Sequence, residues 1–179
     1  SSAFAADAVV ASVTPTQLYG RLLPAEATPP QVRADAAAFQ YGRGEMQIHL
    51  ALSAPPAWPD PALGKVAMLH VTDGLDAVSR AVNEAERGLL PAEATIVVAQ
   101  PTAVDPSRAP DGAAILWIQL QEVPRNGELR GDALGEIAVP ADGCWTEAMR
   151  EAYADRIVAR LCALCPGLDA QIVGRRALS

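Results

Sequence analysis

The sequence predicts an α+β fold, in which a mixed and mostly antiparallel β-sheet is covered on one face by helices. Strands are indicated by two runs that alternate apolar and polar residues, GEMQIHLALS and AAILWIQLQ, and by the β-branched run TIVVAQ. Helices are indicated by apolar residues that recur at helical spacing. Because the connections are mostly long and follow no βαβ repeat, we expect a mixed sheet in which antiparallel pairs dominate.

The first part of the chain is predicted to form one strand and two helices. The strand is short and buried, and it contains the apolar residues Val9, Val10 and Val13. Pro15 suits the first turn of a helix, and Pro24 ends that helix. A second helix is expected over residues 31–40, with one apolar face made of Val32, Ala36 and Phe39.

The alternation over residues 45–53 predicts a strand with two different sides. The apolar side carries Met46, Ile48, Leu50 and Leu52. The other side carries Gln47, His49, Ala51 and Ser53. A proline-rich loop follows, and then a further strand is expected over residues 65–71.

An amphipathic helix is predicted over residues 74–87. We expect its buried side to contain Leu75, Val78 and Val82. Asp73 or Thr72 is suited to cap its start, and Gly88 is suited to its carboxyl end.

Residues 95–121 contain two strands joined by PTAVDPSRAPDG, a connection too long and too rich in proline for a tight hairpin. Proline fixes φ and favours an extended conformation in the residue before it, so this loop is expected to be rigid. Asp105, which precedes Pro106, is interpreted as part of an Asx-type turn or an ion pair rather than as a catalytic group. Arg108 has three possible partners: Asp105, Asp111 or another part of a longer protein.

The last part of the chain is predicted to be an irregular connection, a long helix and a strand. The connection covers residues 124–143 and turns at Asn126-Gly127. The helix covers residues 145–164, and Pro166 and Gly167 end it before a strand over residues 170–174. Since neither a repeat nor a linker is visible, residues 1–179 are expected to form a single domain.

Composition excludes several classes of function. The net charge is −7 and the basic residues form no cluster, so nucleic acid is not an expected partner. No run approaches the roughly 20 apolar residues of a membrane helix, so no transmembrane segment is expected. The start of the chain lacks the basic region of a signal peptide, which favours the cytoplasm.

The side chains that most often carry chemistry form no recognisable cluster. His49 and His70 lack acidic or thiol neighbours at ligand spacing, so no metal site is expected. Cys162 and Cys165 have the spacing of a redox pair, but they lie at the end of a helix, where the dipole does not favour a thiolate. We therefore interpret them as buried apolar cysteines.

The loop between the two strands carries a recognisable motif, PT..DPS.AP.G, made of Pro101, Thr102, Asp105, Pro106, Ser107, Ala109, Pro110 and Gly112, with Arg108 inside it. This motif resembles that of phytoene dehydrogenase-like FAD-dependent oxidoreductases, in the half that binds substrate. The order of the other elements is similar over nearly the whole chain. The segment over residues 6–15 resembles the one that returns from the flavin domain, so residues 1–14 are a candidate strand of that return.

The resemblance implies the substrate-binding domain of a flavoprotein that oxidises C–C or C–N bonds of a small, largely apolar molecule. It also implies that the more polar sheet face covers a cavity above the flavin, so Gln47, His49, Trp117 and Gln119 are the candidate substrate-binding residues. Bound FAD would carry the redox chemistry, and no catalytic residue is expected in this chain. If the substrate is a lipid, the whole enzyme would associate with a membrane.

One part of the family pattern is missing, because the G-x-G-x-x-G turn that holds the FAD pyrophosphate does not occur. The nearest segment, Gly42-Arg43-Gly44, has Gln47 in place of the third glycine and precedes a strand. We therefore expect an inactive fragment that binds no cofactor by itself and whose main partner is its own FAD-binding domain. The surface exposed by truncation also allows a homodimer. The alternative is a free-standing, non-catalytic module that binds a ligand or another protein.

Overall fold

The computed structural model of the protein describes residues 4–179. Contacts divide the chain into two compact units, one ending at Gly42 and one covering Arg43–Ser179. Such a division does not test whether the units fold together, so the single domain stays a prediction.

The first unit contains short helical segments. Helix α1 (Pro15–Gln17) continues as a π-helical turn (Leu18–Leu22), a 3-10 turn follows (Ala25–Ala27), and helix α2 covers Pro30–Ala37. Proline occupies the first turn of both helices, where its missing N–H leaves no hydrogen bond unmade. Both predicted helices are thereby confirmed, although α2 ends three residues earlier than residue 40 and leaves Phe39 exposed.

The strand predicted at Val9, Val10 and Val13 is wrong. Residues 4–13 form neither helix nor strand, and the exposed fractions of Val9 and Val10 are 85% and 98%. A strand needs a hydrogen-bonded neighbour, and no other strand of the described part of the chain pairs with this segment. The first three residues of the candidate strand at 1–14 lie outside the described residues.

The second unit contains a five-stranded antiparallel sheet, and the predicted α+β fold is confirmed. The second unit has seven strands in total: β1 (Gly44–Leu52), β2 (Met68–Val71), β3 (Leu89–Leu90), β4 (Ile96–Ala99), β5 (Ala114–Val123), β6 (Gly131–Asp132) and β7 (Ile172–Leu178). The sheet has the order β2-β4-β5-β1-β7, and β3 and β6 form a separate parallel pair. The two strands with the clearest alternation, β1 and β5, are therefore neighbours near the centre.

The core lies on the apolar side of these central strands. Met46, Ile48, Leu50 and Leu52 of β1 are all buried, as the alternation predicts. Ile48 lies opposite Ile118 of β5, whose own buried side continues the same surface. Cross-strand apolar pairs of this kind supply much of the stability of a sheet.

Four helices belong to the second unit: α3 (Leu75–Glu86), α4 (Pro101–Val104), α5 (Glu147–Leu164) and α6 (Leu168–Gln171). The long helix α5 buries Met149, Tyr153, Ile157 and Leu161 in the same cluster as the apolar side of β1. Thr146 caps α5 through its Oγ1, which accepts a hydrogen bond from the Met149 N–H at 3.2 Å. The helix predicted over residues 145–164 is confirmed.

The predicted buried side of α3 is right for two of its three residues and wrong for Leu75. Leu75 is 83% exposed, whereas Val78 and Val82 are partly buried. The fully buried residues are Ala77, Ala81 and Ala85, which recur at helical spacing beside the two valines, and their small side chains allow close packing of the helix backbone. The predicted cap by Asp73 or Thr72 is also wrong, because Gly74 occupies that position with φ +104° and no side chain caps the helix.

Two other elements differ in extent from the prediction. β2 begins at Met68 instead of residue 65, because Pro61–Lys65 forms a 3-10 turn that the Asp60 carboxylate caps. β7 runs to Leu178, four residues beyond the predicted end, and pairs with β1. In the predicted irregular connection, Gly127 turns with φ +85° as expected.

No described helix combines the length and apolar character needed to cross a bilayer.

Candidate functional site

The loop that carries the motif is held by hydrogen bonds of its own side chains. The Asp105 carboxylate accepts from the backbone N–H of Ser107 at 3.1 Å and from its hydroxyl at 2.6 Å. These bonds cap a 3-10 turn over Pro106–Arg108. They also lower the pKa of Asp105, and the bond from the Ser107 hydroxyl contributes most to this shift. The interpretation of Asp105 as a turn residue is confirmed.

Arg108 lies exposed in the same turn. It forms an ion pair within 4 Å with neither Asp105 nor Asp111, the two partners considered from sequence. Its charge acts only weakly on Asp105, as the last contribution to the lowered pKa of that carboxyl. Arg108 is therefore available at the loop surface.

The remainder of the loop is tied to the neighbouring strands. Pro101 begins α4, the Thr102 hydroxyl accepts from the Ile115 N–H at 3.4 Å, and Gly112 turns with φ +79°. Because Ile115 lies in β5, the Thr102 contact attaches the start of the loop to the strand that follows it. The rigidity expected from the prolines is thus supported by hydrogen bonds.

A cavity of about 290 Å³ lies where this loop meets the proline-rich connection between β1 and β2. Its lining includes Pro55, Pro56, Thr102, Pro106, Pro110 and Ile115. Proline rings and apolar side chains form most of this surface, so the cavity suits an apolar group better than a charged one.

Gln100 holds the two connections together at the base of this cavity. Only 3% of it is exposed, and its Nε2 donates to the carbonyls of Leu63 at 2.8 Å and Val66 at 2.7 Å. Its Oε1 accepts from Trp58 Nε1 at 2.8 Å. Sequence reasoning missed Gln100, because its partners lie 34 to 42 residues away and no local pattern marks them.

The four candidate substrate-binding residues lie together on the side of the sheet opposite the apolar side of β1. Gln47 is opposite Gln119 and His49 is opposite Trp117, so the four residues form two adjacent cross-strand pairs. All four are partly exposed. Alternation in each strand predicted the side on which each residue lies, and the register of β1 against β5 brings them together.

Hydrogen bonding within this group is incomplete. Gln119 Nε2 donates to Glu45 at 3.0 Å, but Trp117 Nε1 is buried without an acceptor among the described residues. His49 likewise makes no side-chain hydrogen bond to the described part of the chain. Donors of this kind are normally satisfied by protein, water or ligand, so they are suited to bind an external partner.

The loop cavity and this strand surface adjoin one another. Along β1 and β5 the next pair after His49 and Trp117 on that side is Ala51 and Ile115, and Ile115 also lines the cavity. We call the combined surface of Gln47, His49, Trp117, Gln119 and the loop cavity the sheet–loop site. It offers a largely apolar surface with a few polar atoms, which is typical of sites for small organic ligands.

The other candidate groups do not contribute to this site. Cys165 is buried as expected and Cys162 is partly buried, and burial raises the pKa of both thiols, which disfavours the thiolate. His70 lies exposed on the edge strand β2. Within residues 4–179 no three His, Cys, Asp or Glu side chains are grouped closely enough to hold a metal ion.

The segment that comes nearest to a dinucleotide-binding turn, Gly42-Arg43-Gly44, leads into a strand. Gly44 begins β1 rather than a helix, and a Cβ at this position would lie 2.8 Å from the Pro124 carbonyl oxygen. Its lack of a side chain therefore serves the close approach of β1 to the end of β5, and not the binding of a pyrophosphate. No family model matches the chain, and no curated protein matches it at a significant level.

Proposed function

We propose that this chain is the substrate-binding part of an FAD-dependent oxidoreductase similar to the phytoene dehydrogenases. The observation that carries the proposal is the sheet–loop site, where the motif loop adjoins the Gln47–Gln119 and His49–Trp117 pairs. Gln47 and His49 are distant from the motif in sequence, and the pairing of β1 with β5 brings them next to it.

In this proposal the chain binds and orients the substrate, and a separate FAD-binding domain of the same protein is its partner. FAD supplies hydride acceptance from a C–C or C–N bond when it is bound there. The apolar lining of the cavity removes water from the substrate, and Trp117 provides a broad surface for an extended apolar molecule. The residues of the site act by positioning, so the chain alone has no oxidoreductase activity.

Ligand binding is tested through tryptophan fluorescence. Titration of the protein with a soluble conjugated polyene is expected to quench the emission in a saturable manner. Trp117→Ala should weaken binding about tenfold or more, because it removes an aromatic surface worth roughly 1.5–3 kcal/mol. Glu147→Ala is the control, since Glu147 is exposed on α5, which packs against the opposite side of the sheet, and the change should leave affinity unchanged.

A second titration, with FAD, tests the division of roles. We expect no saturable binding of FAD to these residues alone, whereas the longer protein should purify yellow and its coding sequence should contain a G-x-G-x-x-G turn. Tight FAD binding by this chain would contradict the proposal. So would quenching by the polyene that is equal in the wild type and in Trp117→Ala.

The second candidate function is a free-standing, non-catalytic module that binds a ligand or another protein. The exposed apolar residues of the first segment favour it, because Val9 and Val10 offer an unpaired surface to a partner. A coding sequence without a flavin-binding domain, together with ligand binding at the sheet–loop site, would decide for this alternative.

A further inference from the structure

Strand β2 lies at one edge of the five-stranded sheet, and no strand of the described residues lies beside its outer side. Its inner side pairs with β4, where the Ala67 carbonyl accepts from the Gln100 N–H at 2.8 Å. Residues that bond to the neighbouring strand alternate with residues that do not, so Met68 and His70 direct their N–H and C=O groups away from β4. These backbone groups can bind a further strand.

The two edges of the sheet differ in how they are protected. Edge strands usually carry charged residues or proline, which oppose pairing with another chain. At the opposite edge, β7 has Arg175 and Arg176 near its middle, so two copies of β7 paired antiparallel would bring like charges together. The sequence of β2 is MLHV, with neither a charged residue nor a proline. The edge at β2 therefore lacks this protection.

Apolar side chains are exposed around the same edge. Val66 and Met68 are 37% and 46% exposed, and Leu75 follows shortly after β2 with most of its surface exposed. On the side of the sheet that faces the core, Leu69 and Val71 are only partly buried against the apolar cluster. A strand added beside β2 would cover apolar surface on both sides of the sheet.

A second copy of β2 fits this edge in a defined register. Outward-facing residues can form hydrogen bonds only with outward-facing residues of the second strand. The antiparallel register that places Met68 opposite His70 of the second copy is the one in which both outward-facing residues of β2 pair within β2. Leu69 then lies on the two-fold axis, opposite Leu69 of the second copy, and extends the core between the two sheets.

Opposite charges flank β2 and meet in this register. Lys65 before the strand and Asp73 after it are both exposed and are equally distant from Leu69 in sequence. Two-fold pairing therefore places Lys65 of each copy opposite Asp73 of the other. Lys65 makes no ion pair with the described residues, and Asp73 has only a contact of 3.9 Å with Arg160. Both charges are thus available to a second copy.

We propose that the chain forms a two-fold homodimer through antiparallel pairing of β2 with β2, which joins two five-stranded sheets into one continuous sheet. The edge is complementary to itself in backbone hydrogen bonding, in apolar contact at Leu69 and in charge. The inference does not depend on the proposed flavoprotein role, because it uses none of the residues of the sheet–loop site. The interface is small, so we expect a reversible dimer with a dissociation constant in the micromolar range.

The experiment is sedimentation velocity of the full 179-residue chain over a dilution series, which should show a monomer–dimer equilibrium. Lys65→Glu and Asp73→Lys should each weaken dimerisation about tenfold or more, because each change replaces two attractive contacts with two repulsive ones. An equimolar mixture of the two variants should regain the affinity of the wild type, since each contact between them again joins opposite charges. Arg87→Glu is the control: it reverses an exposed charge at the far end of α3 and should change nothing.

His70→Pro tests the backbone pairing. The N–H of His70 points away from β4, so proline removes hydrogen bonds to the second copy and none to the sheet, and edge strands accept proline at such positions. We expect dimerisation about tenfold weaker, with an unchanged circular dichroism spectrum, whereas His70→Ala keeps the N–H and should have a much smaller effect. A chain that is monomeric at every concentration would overturn the proposal. So would a mixture of the charge variants that dimerises no more tightly than either variant alone.

Discussion

Asp132 and Arg156 form the most buried ion pair among the described residues, with exposed side-chain fractions of 0% and 12%. Two nitrogens of Arg156 donate to the two carboxylate oxygens, each at 2.7 Å. The backbone N–H groups of Glu136 and Ile137 also donate to this carboxylate. Burial alone would raise the pKa of Asp132, but these hydrogen bonds outweigh it and lower the pKa.

Asp132→Asn should therefore be strongly destabilising. It leaves the Arg156 cation partly buried without its carboxylate, and we expect a loss of about 3 kcal/mol in the free energy of unfolding. Urea unfolding at neutral pH measures this loss. Glu136→Gln is the control: Glu136 contacts the same arginine at 3.2 Å but is 67% exposed, so its loss should stay within about 0.5 kcal/mol.

The same carboxylate predicts a dependence of stability on pH. Because the pKa of Asp132 is lower in the folded state than in the unfolded state, its contribution is complete above the unfolded value of about 3.9. The contribution is lost as the pH falls through the folded pKa. Unfolding measured between neutral pH and pH ~2 should therefore show a steeper acid loss for the wild type than for Asp132→Asn, and parallel curves would contradict this prediction.

At the scale of the element, α3 ends at a glycine, Gly88, where two neighbouring groups leave no room for a side chain. Gly88 has φ +80°, and a Cβ there would lie 2.5 Å from the Glu128 carbonyl oxygen and 2.9 Å from the Arg130 side chain. The sequence indicated a helix end at this position, but the clash depends on the distant connection over residues 124–143. Backbone conformation and tertiary packing both require glycine here.

Gly88→Ala is expected to lower the free energy of unfolding by at least about 2 kcal/mol, the sum of backbone strain and steric displacement. Gly167→Ala is the matched comparison, because Gly167 has φ +85° but nothing within 4 Å of an added Cβ. That variant should lose only about 1 kcal/mol from backbone strain. Equal losses in the two variants would show that the contacts with Glu128 and Arg130 are unimportant.

The amino-terminal cap of α5 is a second property of an element. Among the described residues, the Thr146 side chain alone caps the start of this helix, through its bond to the Met149 N–H. Thr146→Ala should cost about 1 kcal/mol in thermal or urea unfolding, whereas Thr146→Ser should retain most of the stability. An alanine variant as stable as the wild type would mean that solvent satisfies that N–H equally well.

At the scale of the whole molecule, the apolar cluster and every strand found within residues 4–179 belong to the second unit. The sheet begins at Gly44, and every member of the cluster lies between Met46 and Ala177. Removal of residues 1–42 should therefore leave a folded protein with a cooperative thermal transition. Circular dichroism with a melting curve measures this, and a noncooperative melt of the shortened chain would favour the single domain predicted from sequence.

The candidate site was partly predictable. Alternation places Gln47 and His49 on one side of β1, and Trp117 and Gln119 on one side of β5, from sequence alone. Their proximity depends on the register that pairs His49 with Trp117, which no local pattern specifies. Gln100 was not predicted either, since its hydrogen-bond partners come from the connection between β1 and β2, 34 to 42 residues away.

Local periodicity and proline or glycine chemistry were sufficient to identify β1, β5 and α5 and the rigid motif loop, because these features depend on neighbours a few residues apart. Tertiary packing decided the buried side of α3, where Ala77, Ala81 and Ala85 are fully buried and Leu75 at the helix start stays exposed. It also decided that residues 4–13 have no strand partner. Pairing and burial depend on contacts between distant segments, and the energies of those contacts are not contained in the local pattern of either segment.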